Sequence, residues 1–227
     1  MSDAVKVNSL GVNNICTIVK DTHVLLIHYS TDYVFDGKAV TAYNELSHVN
    51  PINNYGKSKY MGEQVIKDTY NRHYILRLSW VYDNDSENFP NKILQRYIDG
   101  IQSKIVSDKT GSPTHVDLIS SLTERILKKY SKLPEIDRHK SFGLYHLSAS
   151  GVTSWYDFAS YIIQKYCVYK KTEIDSLKIK KCTSDEFNSI TKRPNNSVLD
   201  CSKLEKFLSL KIPTWQDYAN KYIEKKL

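Results

Sequence analysis

Tyr55 and Lys59 stand four residues apart in a stretch whose spacing predicts a helix, so both side chains leave one face with their Cβ atoms about 5–6 Å apart. A free phenol is a poor acid or base near neutrality because its pKa is about 10. A neighbouring ammonium favours the phenolate and draws that value down, and such a pair can pass a proton to or from a carbonyl or alcohol oxygen. Thr31 follows a predicted strand closely, where its hydroxyl can hydrogen-bond the same oxygen. Together the three outline a carbonyl-reducing site, although the Tyr-x-x-x-Lys spacing on its own is common on solvated helix faces.

Alternating periodicities supply the elements that must position these groups. Apolar residues at Val7, Leu10, Ile15, Ile18 and Val19 predict a helix over Val7 to Lys20, and the continuous run Val24 to Ile27 predicts a strand covered on both faces over His23 to Ser30. A loop from Thr31 to Pro51 leads into the Tyr55 to Tyr70 helix and a second strand, Tyr74 to Val81. Helices at Asn88 to Ile101 and Asp117 to Tyr130, and strands at Lys104 to Val106 and Gly143 to Leu147, continue the alternation. The expected fold class is therefore α/β, a Rossmann-like doubly wound parallel sheet built from βαβ units. After Gly151 the pattern weakens into a helix at Trp155 to Tyr166, a lysine-rich irregular stretch, and terminal helices near Ser202 to Leu208 and Trp215 to Lys225. This divides the chain into a partial cofactor-binding and catalytic domain, 1–150, and a small α+β substrate-binding region, 151–227, with the polar loop Arg193-Pro194-Asn195-Asn196.

The 227 residues are 41% apolar and 25% charged, enough for a sizeable core, and 32 Lys+Arg against 25 Asp+Glu leave a net charge of +7. The lysines are dispersed, so neither nucleic acid nor membrane is an expected partner. No stretch nears the roughly 20 apolar residues of a membrane span, and Met1-Ser2-Asp3-Ala4 lacks a secretory profile. Cys16, Cys167, Cys182 and Cys201 are far apart, without zinc or dithiol spacing, and read as free thiols of a cytoplasmic protein with no metal site.

The segments His28-Tyr29-Ser30-Thr31-Asp32-Tyr33-Val34-Phe35-Asp36-Gly37 and Pro51-Ile52-Asn53-Asn54-Tyr55-Gly56-Lys57-Ser58-Lys59 resemble the extended short-chain dehydrogenase/reductase superfamily. Within it, Arg77 to Tyr82, Gly111-Ser112-Pro113-Thr114, Tyr145-His146-Leu147-Ser148, and Arg193-Pro194 leading to Ser197 through Leu204 resemble the dTDP-4-dehydrorhamnose reductase family, in order over nearly the whole chain. The resemblance implies reduction of a 4-keto nucleotide sugar, dTDP-4-dehydro-L-rhamnose, by NADPH or NADH. It implies Tyr55 as general acid, Lys59 as holder of the nicotinamide ribose, and Thr31 as the group orienting the ketone. Tyr29, Tyr55 and Lys59 would then face the cofactor, and Thr31, Asp32 and Trp80 the sugar nucleotide. Arg193 is the expected diphosphate partner, since guanidinium engages phosphate bidentately. Taken singly, Trp80 reads as a core aromatic, Asp32 as a turn residue, Arg193 as a solvated charge, and His28 as a core histidine without a role.

The eight glycines (11, 37, 56, 62, 100, 111, 143 and 151) never form a glycine-rich phosphate-binding turn. Aligned with the family, Val7, Asn8 and Gly11 fall in the helix before the fourth strand, so about 60–70 residues of βα structure, at about 30 per unit, are expected to be absent. A strand at Val24 to Ile27 would then present an unpaired edge, open to a separate N-terminal segment or to a homodimer partner. A truncated product, half of a split enzyme, or a binding remnant would each account for this, with the intact catalytic residues favouring the first. An alternative resemblance, to the non-catalytic β subunit of methionine adenosyltransferase, rests on the Asp-Tyr-Val-Phe-Asp-Gly run and the Leu-Asp-Cys-Ser-Lys-Leu tail. A UDP-sugar epimerase or reductase relative is the third reading.

Overall fold

The computed structural model describes residues 2–187 and 191–227. Strands β1 (Leu26–Thr31), β2 (His73–Leu78) and β7 (Gly143–Leu147) form a parallel sheet in the order β1-β2-β7. The register sets Ser30 beside Arg77, and Arg77 beside His146. Parallel neighbours need crossovers, and helices α3 (Asn54–Thr69) and α5 (Val116–Lys132) lie within the two connections.

Period-two alternation in β2 assigns the helices to opposite faces. Tyr74 and Leu76 enter the main core with Leu118, Leu122 and Ile126 of α5, Phe158 and Ile162 of α7 (Trp155–Lys170), and Tyr222 and Ile223 of α9 (Trp215–Glu224). Ile75 points the other way and packs with Ile66 and Tyr70, at the end of α3, and with Val12 and Cys16 of α2 (Gly11–Val19). Covered on both sides, the sheet is the expected doubly wound arrangement.

The first predicted helix is present but not uniform. A short α1 (Asp3–Val5) passes into a π-wound stretch, Lys6–Leu10, before α2. Gly62 of α3 meets it there, and a Cβ on Gly62 would come within 2.2 Å of the Asn8 carbonyl oxygen. Three further departures have physical reasons. The strand expected to run from Tyr74 to Val81 stops at Leu78, because Trp80 takes a φ of +42° and turns the chain out of the sheet. Val81–Tyr82 (β3) then pairs with Thr114–His115 (β6) instead. The lysine-rich stretch contains β9 (Ile179–Cys182), parallel to β4 (Ser103–Val106), with Ile179 and Cys182 buried on either side of exposed Lys180 and Lys181. Helix α6 (Glu135–Ser141) was not legible because only Ser141 of it is buried.

Helix α4 (Phe89–Ile98) packs with β4, α7 and β9 in a second, smaller core, and α8 (Ser202–Leu208) buries Leu204 in the main one. On the far side of β1 no strand pairs with it among the described residues; β1 starts at Leu26, later than the His23 expected, and Val24 before it is 52% exposed. No helix among the described residues is long and apolar enough to cross a membrane.

Candidate active site

The site gathers where β1 and β2 end, under the start of α3. Thr31 is the last residue of β1, and its Oγ1 caps a single 3-10 turn over Asp32–Val34 by accepting from the Tyr33 amide at 3.2 Å. The same hydroxyl donates to Asp32 Oδ1 at 3.0 Å. Ser79, just past the end of β2, donates to Asp32 Oδ2 at 2.9 Å. Asp32 is only 2% exposed. Burial pushes its carboxyl up from 3.8 to about 6, against the hydrogen bonds from Ser79, Thr31 and Ser197 that favour the ionised form.

Helix α3 is brought over this carboxylate by its cap and a glycine. Asn53 Oδ1 accepts from the Gly56 amide at 2.8 Å, and Asn53 Nδ2 donates to the Lys192 carbonyl at 3.0 Å. Gly56 lies so close to the Tyr33 backbone that a Cβ there would sit 2.0 Å from its carbonyl oxygen. Tyr55 consequently meets Tyr33 edge to face, ring centroids 5.9 Å apart, with 48% of its own surface open. Partial burial raises the Tyr55 pKa, a hydrogen bond with Thr31 opposes that rise, and the Asp32 charge adds to it.

Lys59, one turn along, donates from Nζ to the Tyr29 carbonyl at 2.6 Å. Burial lowers its pKa and Glu63 raises it. From its spacing alone, Lys59 is expected to pull the phenol down. The structure gives a different balance, because the ammonium is turned to the Tyr29 carbonyl and burial, Thr31 and Asp32 govern Tyr55. Tyr29 meets Lys59 through its backbone, while its phenol crosses to the α5 side and shares a 2.9 Å hydrogen bond with Thr123.

Trp80 follows Ser79 directly. Its indole stacks on Trp155 at 3.7 Å and 7°, and its Nε1 donates to Ser197 Oγ at 2.9 Å. Gly111 lies against the ring, and a Cβ there would fall 2.3 Å from it. Arg193 is exposed, on a loop tied down by Asn53, by Gly37 packed against Pro194, and by the Asn196 amide on the Gly37 carbonyl at 3.2 Å. Its charge is felt at Tyr33, whose phenol burial and Asp32 push up to about 12 while Arg193 opposes them.

Thr31, Asp32, Tyr55 and Lys59 thus come together, with Trp80 joined through Ser79 and Arg193 approaching across Tyr33. Sequence reasoning missed Ser79, Asn53, Tyr33 and Trp155. Only Asn53 carried a local signal, as a capping residue two before Tyr55.

A parallel sheet ending in Thr31 and Asp32, crossed by a helix bearing Tyr55 and Lys59, defines the Rossmann-like short-chain dehydrogenase/reductase class. More narrowly, the chain belongs to the RmlD substrate binding domain family, whose profile matches residues 1–227. It is 34% identical over 221 residues to a dTDP-4-dehydrorhamnose reductase of Sinorhizobium fredii, covering 97% of this chain and 73% of that protein. Among solved structures, a dTDP-4-dehydrorhamnose reductase from Clostridium acetobutylicum superposes with a TM-score of 0.84 at 28% identity, over 98% of this chain and 73% of the other. The Bacillus anthracis reductase in complex with NADP gives 0.81 at 28% identity, over 96% and 72%.

Proposed function

We propose that this chain reduces the 4-keto group of a nucleotide sugar, dTDP-4-dehydro-L-rhamnose, to the alcohol of dTDP-L-rhamnose with NADPH or NADH. The observation that carries the reading is a half-open phenol, Tyr55, set over Thr31 and the buried Asp32 with Lys59 one turn behind it.

The raised pKa of Tyr55 keeps the phenol protonated at neutral pH, the form a general acid requires. Tyr55 Oη gives its proton to the ketone oxygen as the carbon gains hydride, so C=O becomes CH–OH and a phenolate remains. The Thr31 hydroxyl turns its one proton from Asp32 to the ketone oxygen and so orients it. Asp32 accepts from sugar hydroxyls, Trp80 offers a flat wall to the sugar, and Arg193 brings a cation to the diphosphate.

The cofactor supplies the hydride when bound. The residues present fit its nicotinamide-ribose end, where Lys59 holds an ammonium on the Tyr29 carbonyl, one helical turn beyond the half-open Tyr55. No described glycines form a pyrophosphate-binding turn. On this reading residues 1–150 carry the cofactor and catalytic groups, and residues 151–227 shape the substrate side. The four free thiols accord with a cytoplasmic location. The open edge of β1 suits pairing with a further strand, from a second copy or a separate N-terminal segment.

The test is direct: the chain, alone and mixed with the N-terminal segment of a longer relative, is given dTDP-4-dehydro-L-rhamnose and NADPH. Stoichiometric cofactor oxidation and formation of dTDP-L-rhamnose are expected in at least one mixture, and their absence from both rejects the proposal.

A further inference from the structure

Tyr55, Lys59 and Glu63 lie at successive four-residue steps on α3, so one helix face bears all three. The proposed chemistry uses the first two and leaves Glu63 without a task. Glu63 is wholly buried, as is Arg77 of β2 at 1% exposure. The guanidinium grips the carboxylate with two hydrogen bonds, Nε to Oε1 at 2.8 Å and Nη2 to Oε2 at 2.6 Å. Ser30 of β1 adds a third, from Oγ to Oε1 at 2.5 Å. Phe35 covers the guanidinium, whose Cζ lies 5.0 Å from the ring centroid.

Lys59 holds the carbonyl of Tyr29, and Glu63 holds the hydroxyl of Ser30, the next residue. The helix is thus fixed to β1 at two adjacent residues, one by a cation and one by an anion, and to β2 through Arg77. Rotation or sliding of α3 that displaced Lys59 from Tyr29 would also break a bidentate buried pair.

We propose that Glu63, clamped by Arg77, is a positioning residue for the catalytic helix: it fixes the pitch of the Tyr55–Lys59 face and so keeps the Lys59 ammonium on the Tyr29 carbonyl. The inference rests on the reductase reading for its consequence in turnover, but the anchoring of α3 is a property of the chain by itself.

The groups facing the pair are few. Glu63 meets Lys59 and Lys67 from its own helix, His28 from β1 and Arg77 from β2. Lys59 meets Glu63 and, from β1, His28 and the Tyr29 carbonyl, with Tyr55 one turn before it. Burial first, and Lys59 second, hold His28 down to about 4, and burial likewise lowers His73, so both are neutral in the alkaline range where a lysine titrates. Glu63 is therefore the acidic neighbour that supports the Lys59 charge against its burial.

A buried ion pair that only braces the fold would behave differently from one that governs Lys59. Two variants separate these roles. Glu63→Gln removes the charge and keeps the shape, leaving Arg77 buried without its anion. The double variant Glu63→Leu with Arg77→Met removes both charges and replaces them with apolar volume, which restores stability where the single change loses it. The Lys59 titration is followed in the full chain by NMR of lysine labelled at the ε carbon, assigned with Lys59→Arg, alongside thermal melting and ketone reduction.

The expected result is a Lys59 midpoint that moves downward in both variants as the ammonium loses its seat on the Tyr29 carbonyl, whatever their melting temperatures. In an active preparation the alkaline limb of kcat/KM follows it downward. A double variant that melts like the parent and keeps the parent Lys59 midpoint overturns the inference, as does a folded single variant with an unchanged midpoint. Because the midpoint is read without substrate, a chain inactive on the ketone leaves this test intact and counts only against the reductase reading.

Discussion

Asp32 is the group whose removal has the most quantitative consequence. Its carboxyl has an ordinary value of 3.8 and is pushed up to about 6 by burial, although Thr31 and Ser79 both donate to it. The folded protein therefore holds this proton more tightly than the unfolded chain. The sign follows from linkage: the contribution is fully present below pH 3.8 and is lost as pH rises through about 6, so the ionised carboxylate is a burden on the fold at neutral pH. At about 1.4 kcal/mol per pKa unit the burden is about 3 kcal/mol. Asp32→Asn removes it, since a hydroxyl can rotate to accept from the new amide. Relative to the parent, the variant should gain about 3 kcal/mol between pH 4 and pH 7.5, or about 6–12 °C in Tm for a chain of this size. Melting both proteins across that range cancels every other titrating group. A difference between them that stays flat with pH refutes the argument, and so does a variant that loses stability as pH rises. On the proposed function the same variant turns over slowly, so stability and activity move in opposite directions.

Gly111→Ala places a Cβ within 2.3 Å of the Trp80 indole and should displace the ring from its present position against Trp155. Tryptophan emission should change, and kcat/KM for the nucleotide sugar should fall by about tenfold or more, a loss of about 1.4 kcal/mol in transition-state binding. Gly56→Ala meets the Tyr33 backbone at 2.0 Å, which cannot yield as a side chain can. It should cost about 1–3 kcal/mol in a denaturant titration and displace Tyr55. Asn53→Ala removes both the α3 cap and the tether to Lys192. A loss of about 1 kcal/mol from the cap should accompany a KM for the nucleotide sugar that rises more than kcat falls.

The parallel sheet and the Tyr55–Lys59 pair were legible because both follow from local periodicity: i and i+4 share a helix face wherever the helix forms. The apolar run at Val24 to Ile27 likewise declared a strand, although β1 begins only at Leu26 and Val24 stays 52% exposed because no strand covers that edge among the described residues. What escaped the sequence is long-range. Ser79 reaches Asp32 across 47 positions, and Glu63 finds Arg77 only because β2 lies beneath α3. The end of β2 is misplaced because Ser79-Trp80-Val81 looks like strand, whereas Trp80 takes a positive φ with its carbonyl on the Thr114 amide and its indole among Trp155, Ser197 and Gly111. Strand β9 was hidden by Lys180 and Lys181 between its two buried residues. The surroundings of Tyr55 are hidden for a related reason. Spacing places an ammonium nearby but cannot reveal that it is turned toward the Tyr29 carbonyl.

The central claim is that the Tyr55 phenol delivers the proton to the sugar ketone. Tyr55→Phe removes one oxygen from a residue that is 48% exposed, so the fold should stand. Single-turnover reduction of dTDP-4-dehydro-L-rhamnose, measured beside calorimetric binding of the same nucleotide sugar, tests it most directly. Near-parental affinity with no detectable turnover is the predicted result; turnover at the parental rate would contradict the account.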